Sequence, residues 1–285
     1  MPTRCSDAFE CHDPGQAEAT RGCQPWEVVE AARAARLDFL AITDHNTTSH
    51  HADLAALQEG LHSLLLLRGQ ELTTFHGHAN VYGTSTPVDF RLGFRGRGMG
   101  EVMRDVAAME VVNGPTIEGP TAGLGFWHGR LNEGHRITAI GGSDDHAARS
   151  GRGRVGRPTT VVWARELSEA ALLDGLRSGR AYIRARGAEG PVVDLSASWG
   201  GRHVAMGGTL DMDRAAAVGL RIDTARAAGQ TAELVRNGAL VASVLVASSP
   251  ASVTHSLALQ PGDWVNLRLR DATGITAISN PVYIR

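Results

Sequence analysis

Residues that could bind a metal ion follow or precede short apolar segments at four points along the chain. They are Asp44, His45, Glu71, His78, Asp144 and His146. Carboxylates and neutral imidazoles suit Zn²⁺, Mn²⁺ or Fe²⁺, and the absence of cysteine among them argues against a purely structural zinc site. A carboxylate such as Glu71 can bridge two ions, and paired metals activate water for hydrolysis. This spacing predicts a metal-dependent hydrolase.

Each of these residues has an alternative interpretation. A single His or Asp at the end of a strand is more often a helix cap or a surface group, but four such ends favour a site. His50 and His51 are predicted to be surface residues at the start of a helix, and His128 and His135 to be structural. Local metal binding by His12 is disfavoured, because the cysteines near it lack zinc-knuckle spacing. They are Cys5, Cys11 and Cys23.

The elements that must position these residues alternate between helix and strand. Apolar periodicity predicts helices over residues 25–36, 49–58, 100–109, 121–134 and 167–176. Short apolar runs predict strands over residues 37–43, 64–67, 79–83, 110–112 and 136–140. Such alternation is typical of βα units and a parallel sheet, and active sites lie at the carboxyl ends of parallel strands. The pattern therefore places the candidate metal ligands at one edge of the predicted parallel sheet.

The character of the chain changes near residue 190. Six short segments, several of them alternating, are separated by turn signals such as Asn237-Gly238. We therefore predict an α/β domain over residues 1–188 and a β-sandwich-like domain over residues 189–285.

The composition of the chain limits the kinds of partner and catalyst that we expect. The net charge of −2 provides no basic surface for nucleic acid or an anionic membrane. All 28 basic residues are arginine, which excludes a Schiff-base lysine as the catalyst. The apolar runs are too short to span a membrane, and the chain start has no signal-peptide core. We expect a cytoplasmic enzyme that acts on a small molecule.

Several segments resemble the polymerase and histidinol phosphatase (PHP) family of metallohydrolases, in its carbaryl-hydrolase-like branch. They are DFLAITDHN (38–46), GQELTTFHGHANVYG (69–83), MEVVNGP (109–115), AIGGSDDH (139–146) and the Asn280-Pro-Val-Tyr-Ile-Arg ending. The resemblance implies a distorted (β/α)7-like, TIM-like barrel and up to three sites for Zn, Mn or Fe. It runs from Thr3 to the end of the chain.

The resemblance also implies roles for particular residues. Glu71 would bridge two metals, His78 would bind the second and Asp144 the first, while Asp7, His45 and His146 would hold a third. Asp44 would orient a ligand or handle a proton, which makes Asp44 and Glu71 the catalytic candidates. His76, Glu110 and Asn113 match family positions. Asn113 is a candidate for substrate binding, as are Arg149 and Arg152, which could hold an anionic group or form a solvated loop.

Two family motifs are absent. The family begins with His-x-His-Thr-x-x-Ser-Asp, whereas this chain has Thr3-Arg-Cys-Ser6-Asp7 with Pro2 at the second His position. A His-Pro motif is also expected between residues 84 and 108, which contain no histidine. The resemblance therefore predicts an incomplete barrel with fewer metals.

Two functions follow as expectations. The first is a hydrolase of a phosphoester, carbamate or related ester or amide that uses a metal-activated water. The second is a catalytically impaired relative, either a binding scaffold or the product of a truncated reading frame.

Overall fold

The computed structural model describes residues 23–74, 77–89, 91, 108–114, 116–117, 123–148 and 154–285. The chain forms two compact units. The first comprises Met1–Val106, Asp144–Gly156 and Glu166–Leu173, and the second comprises Ala107–Ser143, Arg157–Arg165 and Asp174–Arg285.

The first unit contains a small mixed sheet with two helices. Its elements are α1 (Pro25–Ala34), β1 (Phe39–Ile42), α2 (His51–Gln58), β2 (Leu65–Thr74) and β3 (Gly77–Tyr82). β1 pairs parallel with β2, and β2 pairs antiparallel with β3. Apolar side chains of both helices and of the sheet form one core, which includes Val29, Ala32, Leu54, Leu64 and Leu66.

A glycine allows the three strands to approach closely just before Glu71. A Cβ atom on Gly69 would lie 2.6 Å from Thr43 Cγ2 and 2.8 Å from the carbonyl oxygen of Val81. Real Cβ atoms do not approach backbone so closely, so a side chain here would push the strands apart. Gly69 therefore sets how closely Thr43, just after β1, and Val81 of β3 approach the middle of β2.

The second unit is mostly β-structure. Its helix is α3 (Gly123–Asn132), and α4 (Glu169–Arg177) continues into it from the first unit. Its strands are β4 (Ala108–Asn113), β5 (Thr138–Gly142), β6 (Thr159–Val162), β7 (Ala181–Arg184), β8 (Val192–Trp199), β9 (Arg202–Ala205), β10 (Thr209–Leu210), β11 (Ala216–Ala225), β12 (Thr231–Arg236), β13 (Ala239–Leu245), β14 (Ala251–Leu259), β15 (Trp264–Asp271), β16 (Gly274–Ser279) and β17 (Val282–Ile284).

Two of its sheets share a core. One has four strands in the order β14-β11-β8-β9, and the other has eight, including β6, β7, β12, β13 and β15–β17. Alternate residues of β8 are buried, as its alternating sequence requires. Leu195 and Leu220 from the first sheet and Leu234 and Leu267 from the second belong to the same buried cluster. β4 and β5 form a separate parallel pair.

The predicted elements are confirmed wherever the chain is described, with shifts of a few residues at their ends and a longer β2. The helix predicted over residues 100–109 lies outside the described residues. The predicted domain boundary at residues 188–189 stays a prediction.

The predicted (β/α)7-like, TIM-like barrel is wrong. Such a barrel needs successive parallel strands, each followed by a helix. Here β2 is followed directly by the antiparallel β3, and β6 pairs antiparallel with β7. β6 and β7 join the eight-stranded sheet, in which every strand pair except β10–β17 is antiparallel. The described residues thus form a mixed α/β fold of several sheets, rich in strands and with four helices.

No helix in the described part of the chain is both long and apolar enough to cross a membrane.

Candidate functional site

The loop after β1 runs beside β2 and brings His45 next to Glu71. The two residues form a parallel bridge, flanked by hydrogen bonds from the Glu71 amide to the Asp44 carbonyl (3.1 Å) and from the Asn46 amide to the Glu71 carbonyl (2.8 Å). His45 Nε2 lies 3.3 Å from Glu71 Oε2, and these side chains are 15% and 13% exposed. The site thus holds an imidazole and a carboxylate side by side in a largely buried position.

Thr73 and Asn46 fix the orientation of His45. The Thr73 hydroxyl lies 2.7 Å from His45 Nδ1. The Asn46 side chain donates to the Thr73 carbonyl and accepts from the Thr73 amide, both at 3.0 Å. Asn46 has a φ of 56°, a left-handed conformation that asparagine tolerates better than most residues. These contacts tie the loop after β1 to β2.

Asp44 is held by a buried histidine at the start of α2. Its Oδ2 atom lies 3.1 Å from His50 Nδ1, and His50 Nε2 lies 3.1 Å from the Ile42 carbonyl. His50 is only 3% exposed, so its prediction as a surface residue is wrong. His51 contacts the Gly69 carbonyl at 2.9 Å, and burial lowers its pKa below the usual value despite this hydrogen bond.

Asp144 and His146 lie at the more exposed side of the same unit. The rings of His45 and His146 have centroids 6.3 Å apart. His146 Nδ1 lies 3.1 Å from the Asp144 carbonyl, which can only accept, so Nδ1 carries a proton. Nε2 lies 3.8 Å from Asp144 Oδ1, and both side chains are about two-fifths exposed. Asp145 fixes this loop by accepting from the amides of Arg154 and Val155.

The remaining predicted site residues are placed differently. Asp7, His76, Arg149 and Arg152 lie outside the described residues. So does the side chain of His78, although its backbone pairs in β3 opposite Thr73.

Asn113 and Glu110 belong to β4 in the second unit, where Asn113 is exposed. The Glu110 carboxylate packs over Gly142. A Cβ atom added to Gly142 would lie only 2.6 Å from Glu110 Cδ.

Within the described residues, no three His, Cys, Asp or Glu side chains are close enough to hold one ion. Comparison of the chain with models of known protein families and with curated proteins finds no match. The resemblance to the PHP family therefore stays a hypothesis, and the site must be judged on its own geometry.

Three residues around His45 were not predicted. Thr73 could have been identified, because residues two apart on a strand share a face and Thr73 follows Glu71 by two. Asn46 and His50 carried no such signal, since their roles depend on how the loop after β1 folds back on itself.

Proposed function

We propose that this protein is a metal-dependent hydrolase whose site is centred on His45 and Glu71. The observation that carries the proposal is the paired imidazole and carboxylate, 3.3 Å apart, where the loop after β1 runs beside β2. The ring of His146 adds a second imidazole nearby. Oxygen and nitrogen donors of this kind suit Zn²⁺, Mn²⁺ and Fe²⁺.

The separation of the two donors fits a shared ion. Two ligands on one tetrahedral zinc, each about 2.1 Å from it, lie about 3.4 Å apart. A cation held there would supply Lewis-acid activation of water for hydrolysis. The proposed substrates are small phosphoesters, carbamates or related esters and amides.

The surrounding residues orient the donors. Thr73 contacts His45 Nδ1, the nitrogen opposite the one that faces Glu71. Ligand histidines commonly use their second nitrogen in this way, which fixes the ring and the tautomer. Asp44 contacts His50 with one carboxylate oxygen, so we assign Asp44 to positioning.

A second candidate is a binding scaffold without hydrolytic activity. It is favoured by the finding that, over the described ranges, no three potential ligands converge on one point. Its site would hold a cation weakly, through His45 and Glu71 alone.

Metal content distinguishes the two candidates. The purified chain, dialysed against Zn²⁺ or Mn²⁺ and then against buffer, is expected to retain about one equivalent by plasma mass spectrometry. A His45→Ala, Glu71→Gln double variant should retain none, because it removes both paired donors. The exposed His62 lies in the same unit, so a His62→Ala variant serves as the matched control and should bind as the wild type does.

Retention of metal by the folded double variant would contradict the assignment of the site. Weak binding without turnover of aryl phosphates or carbamates would favour the scaffold. No retention by the wild type would overturn the hydrolase proposal.

Thr73 gives a finer test. Thr73→Val keeps the β-branched shape but removes the hydroxyl that lies 2.7 Å from His45 Nδ1. Loss of such a contact to a ligand histidine typically weakens metal binding about tenfold or more. Thr73→Ser should restore most of the affinity, measured by competition with a chelator. Equal affinities for the valine and serine variants would exclude a role for the hydroxyl.

A further inference from the structure

His50 is almost fully buried, and both of its ring nitrogens face oxygen atoms. Nε2 lies 3.1 Å from the Ile42 carbonyl, and Nδ1 lies 3.1 Å from Asp44 Oδ2. A carbonyl can only accept, so Nε2 carries a proton and the ring orientation is fixed. The Nδ1 contact lacks the direction of a hydrogen bond, and it is attractive when the ring carries a proton on Nδ1 as well. The imidazole of His50 therefore connects Ile42, at the end of β1, to Asp44.

The residue held by His50 directly precedes His45. The backbone of Asp44 is fixed as well, because its carbonyl accepts the Glu71 amide at 3.1 Å. On the other side of His45, Asn46 is attached to Thr73 by two side-chain hydrogen bonds. His45 thus lies between two anchored neighbours, and the close contact to the Asp44 carboxylate comes from His50, whereas His51 acts on it only through charge.

We propose that His50 is a positioning residue for the candidate site. It acts through the carboxylate of Asp44 and sets the direction of His45 toward Glu71. This inference rests on the proposed function, since it assigns His45 and Glu71 as the donors. Without the His50 contact, the Asp44 side chain turns toward solvent or toward the cation site, and the loop between Thr43 and Asn46 loses its fixed course.

A double-mutant cycle on metal affinity tests the inference. His50→Gln and Asp44→Asn should each weaken Mn²⁺ or Zn²⁺ binding about ten- to a hundredfold, as loss of a supporting contact commonly does. If His50 acts through Asp44, the double variant should bind no more weakly than the worse single variant, because residues that share one interaction are not additive. Multiplying effects in the double variant would overturn the inference, as would unchanged affinity in folded His50→Gln.

His51→Gln is the matched control. His51 is the next residue of the same helix start, and it also contacts a backbone carbonyl, that of Gly69. Its ring packs edge-on against that of His50, with centroids 4.7 Å apart, and Asp44 acts on it only through charge, as the smallest of the effects on the His51 pKa. We expect its metal affinity to change less than threefold. A loss equal to that of His50→Gln would mean that any disturbance of this helix start is sufficient, and would overturn the inference.

A metal-free measurement separates this inference from the proposed function. In the ¹⁵N-histidine-labelled full chain, the ring signals of His45, assigned through a His45→Gln variant, should move in His50→Gln and remain in place in His51→Gln. If the wild type binds no metal, the hydrolase proposal fails, and movement of these signals still supports the positioning role. Unmoved signals in folded His50→Gln overturn it whether or not metal binds.

Discussion

Replacing Asn280 by aspartate is expected to lower the free energy of unfolding by about 4 kcal/mol. Asn280 is 1% exposed, and its side-chain oxygen accepts the amide of Ala139 at 2.7 Å. Its amide nitrogen donates to the carbonyls of Ala139 (3.0 Å) and Ala181 (2.7 Å). Aspartate keeps the shape but loses both donors, so two buried hydrogen bonds are lost and two carbonyl oxygens face a buried charge, each loss costing about 1–3 kcal/mol.

Urea denaturation followed by circular dichroism measures this loss. Asn132→Asp is the matched control in the same unit. There the retained Oδ1 still accepts Trp264 Nε1 at 2.9 Å, and the lost donor reached an exposed carbonyl at 3.3 Å. We expect less than about 1 kcal/mol for the control, because exposed groups regain water. Equal losses of unfolding free energy in both variants would show that the three buried hydrogen bonds of Asn280 stabilise the fold no more than the exposed ones of Asn132.

Asn280 also shows why local patterns predicted the elements but not their assembly. The alternation of β8 and the turn at Asn237-Gly238, where both residues have positive φ, were readable because neighbours determine them. The pairing of strands depends on contacts distant in sequence, such as the 141 residues that separate Ala139 from Asn280. A pattern of short strands and helices is compatible with a barrel and with several separate sheets, so the barrel prediction had no local test.

The candidate site, like the fold, could be predicted from the sequence only in part. The residue types and the predicted strand ends placed His45 and Glu71 at one edge of a sheet. In the structure β2 continues through Glu71 to Thr74, and the two residues meet because the loop after β1 runs beside β2. The burial of His50 could not be read, since a histidine at a helix start is usually exposed. Its burial follows from the Ile42 carbonyl and the Asp44 carboxylate, which reach it only after the loop has closed.

Acidification from pH 6.5 to pH 4 is expected to destabilise the second unit by about 3 kcal/mol through His128 alone. The ring of His128 packs against both Trp127 and Trp264, with centroids 5.3 and 5.1 Å away, and it is 9% exposed. Burial, with a smaller contribution from the charge of Arg268, lowers the pKa of His128 to about 4. Its Nε2 atom has no hydrogen-bond partner among the described residues.

The direction of the effect follows from proton uptake. The unfolded chain binds a proton at His128 below about pH 6.5, whereas the folded chain does so only below about pH 4. Stability is therefore unaffected by this group above pH 6.5, falls between pH 6.5 and 4, and has lost the whole amount below pH 4. A difference of about 2.5 pKa units corresponds to about 3 kcal/mol, since one unit is about 1.4 kcal/mol.

His128→Phe isolates this contribution from the other titrating groups. Phenylalanine fills a similar volume against the two tryptophans and cannot take up a proton. The variant should therefore be nearly as stable as the wild type at pH 7.5 and more stable by about 2–3 kcal/mol at pH 4.5. His135→Gln, which changes an exposed histidine of the same unit, should run parallel to the wild type. Urea midpoints at half-unit steps of pH give the three curves. All three proteins have the same carboxylates, so the ring of His128 accounts for a separate phenylalanine curve. Three parallel curves would mean that this ring takes up protons as freely in the folded chain as in the unfolded one.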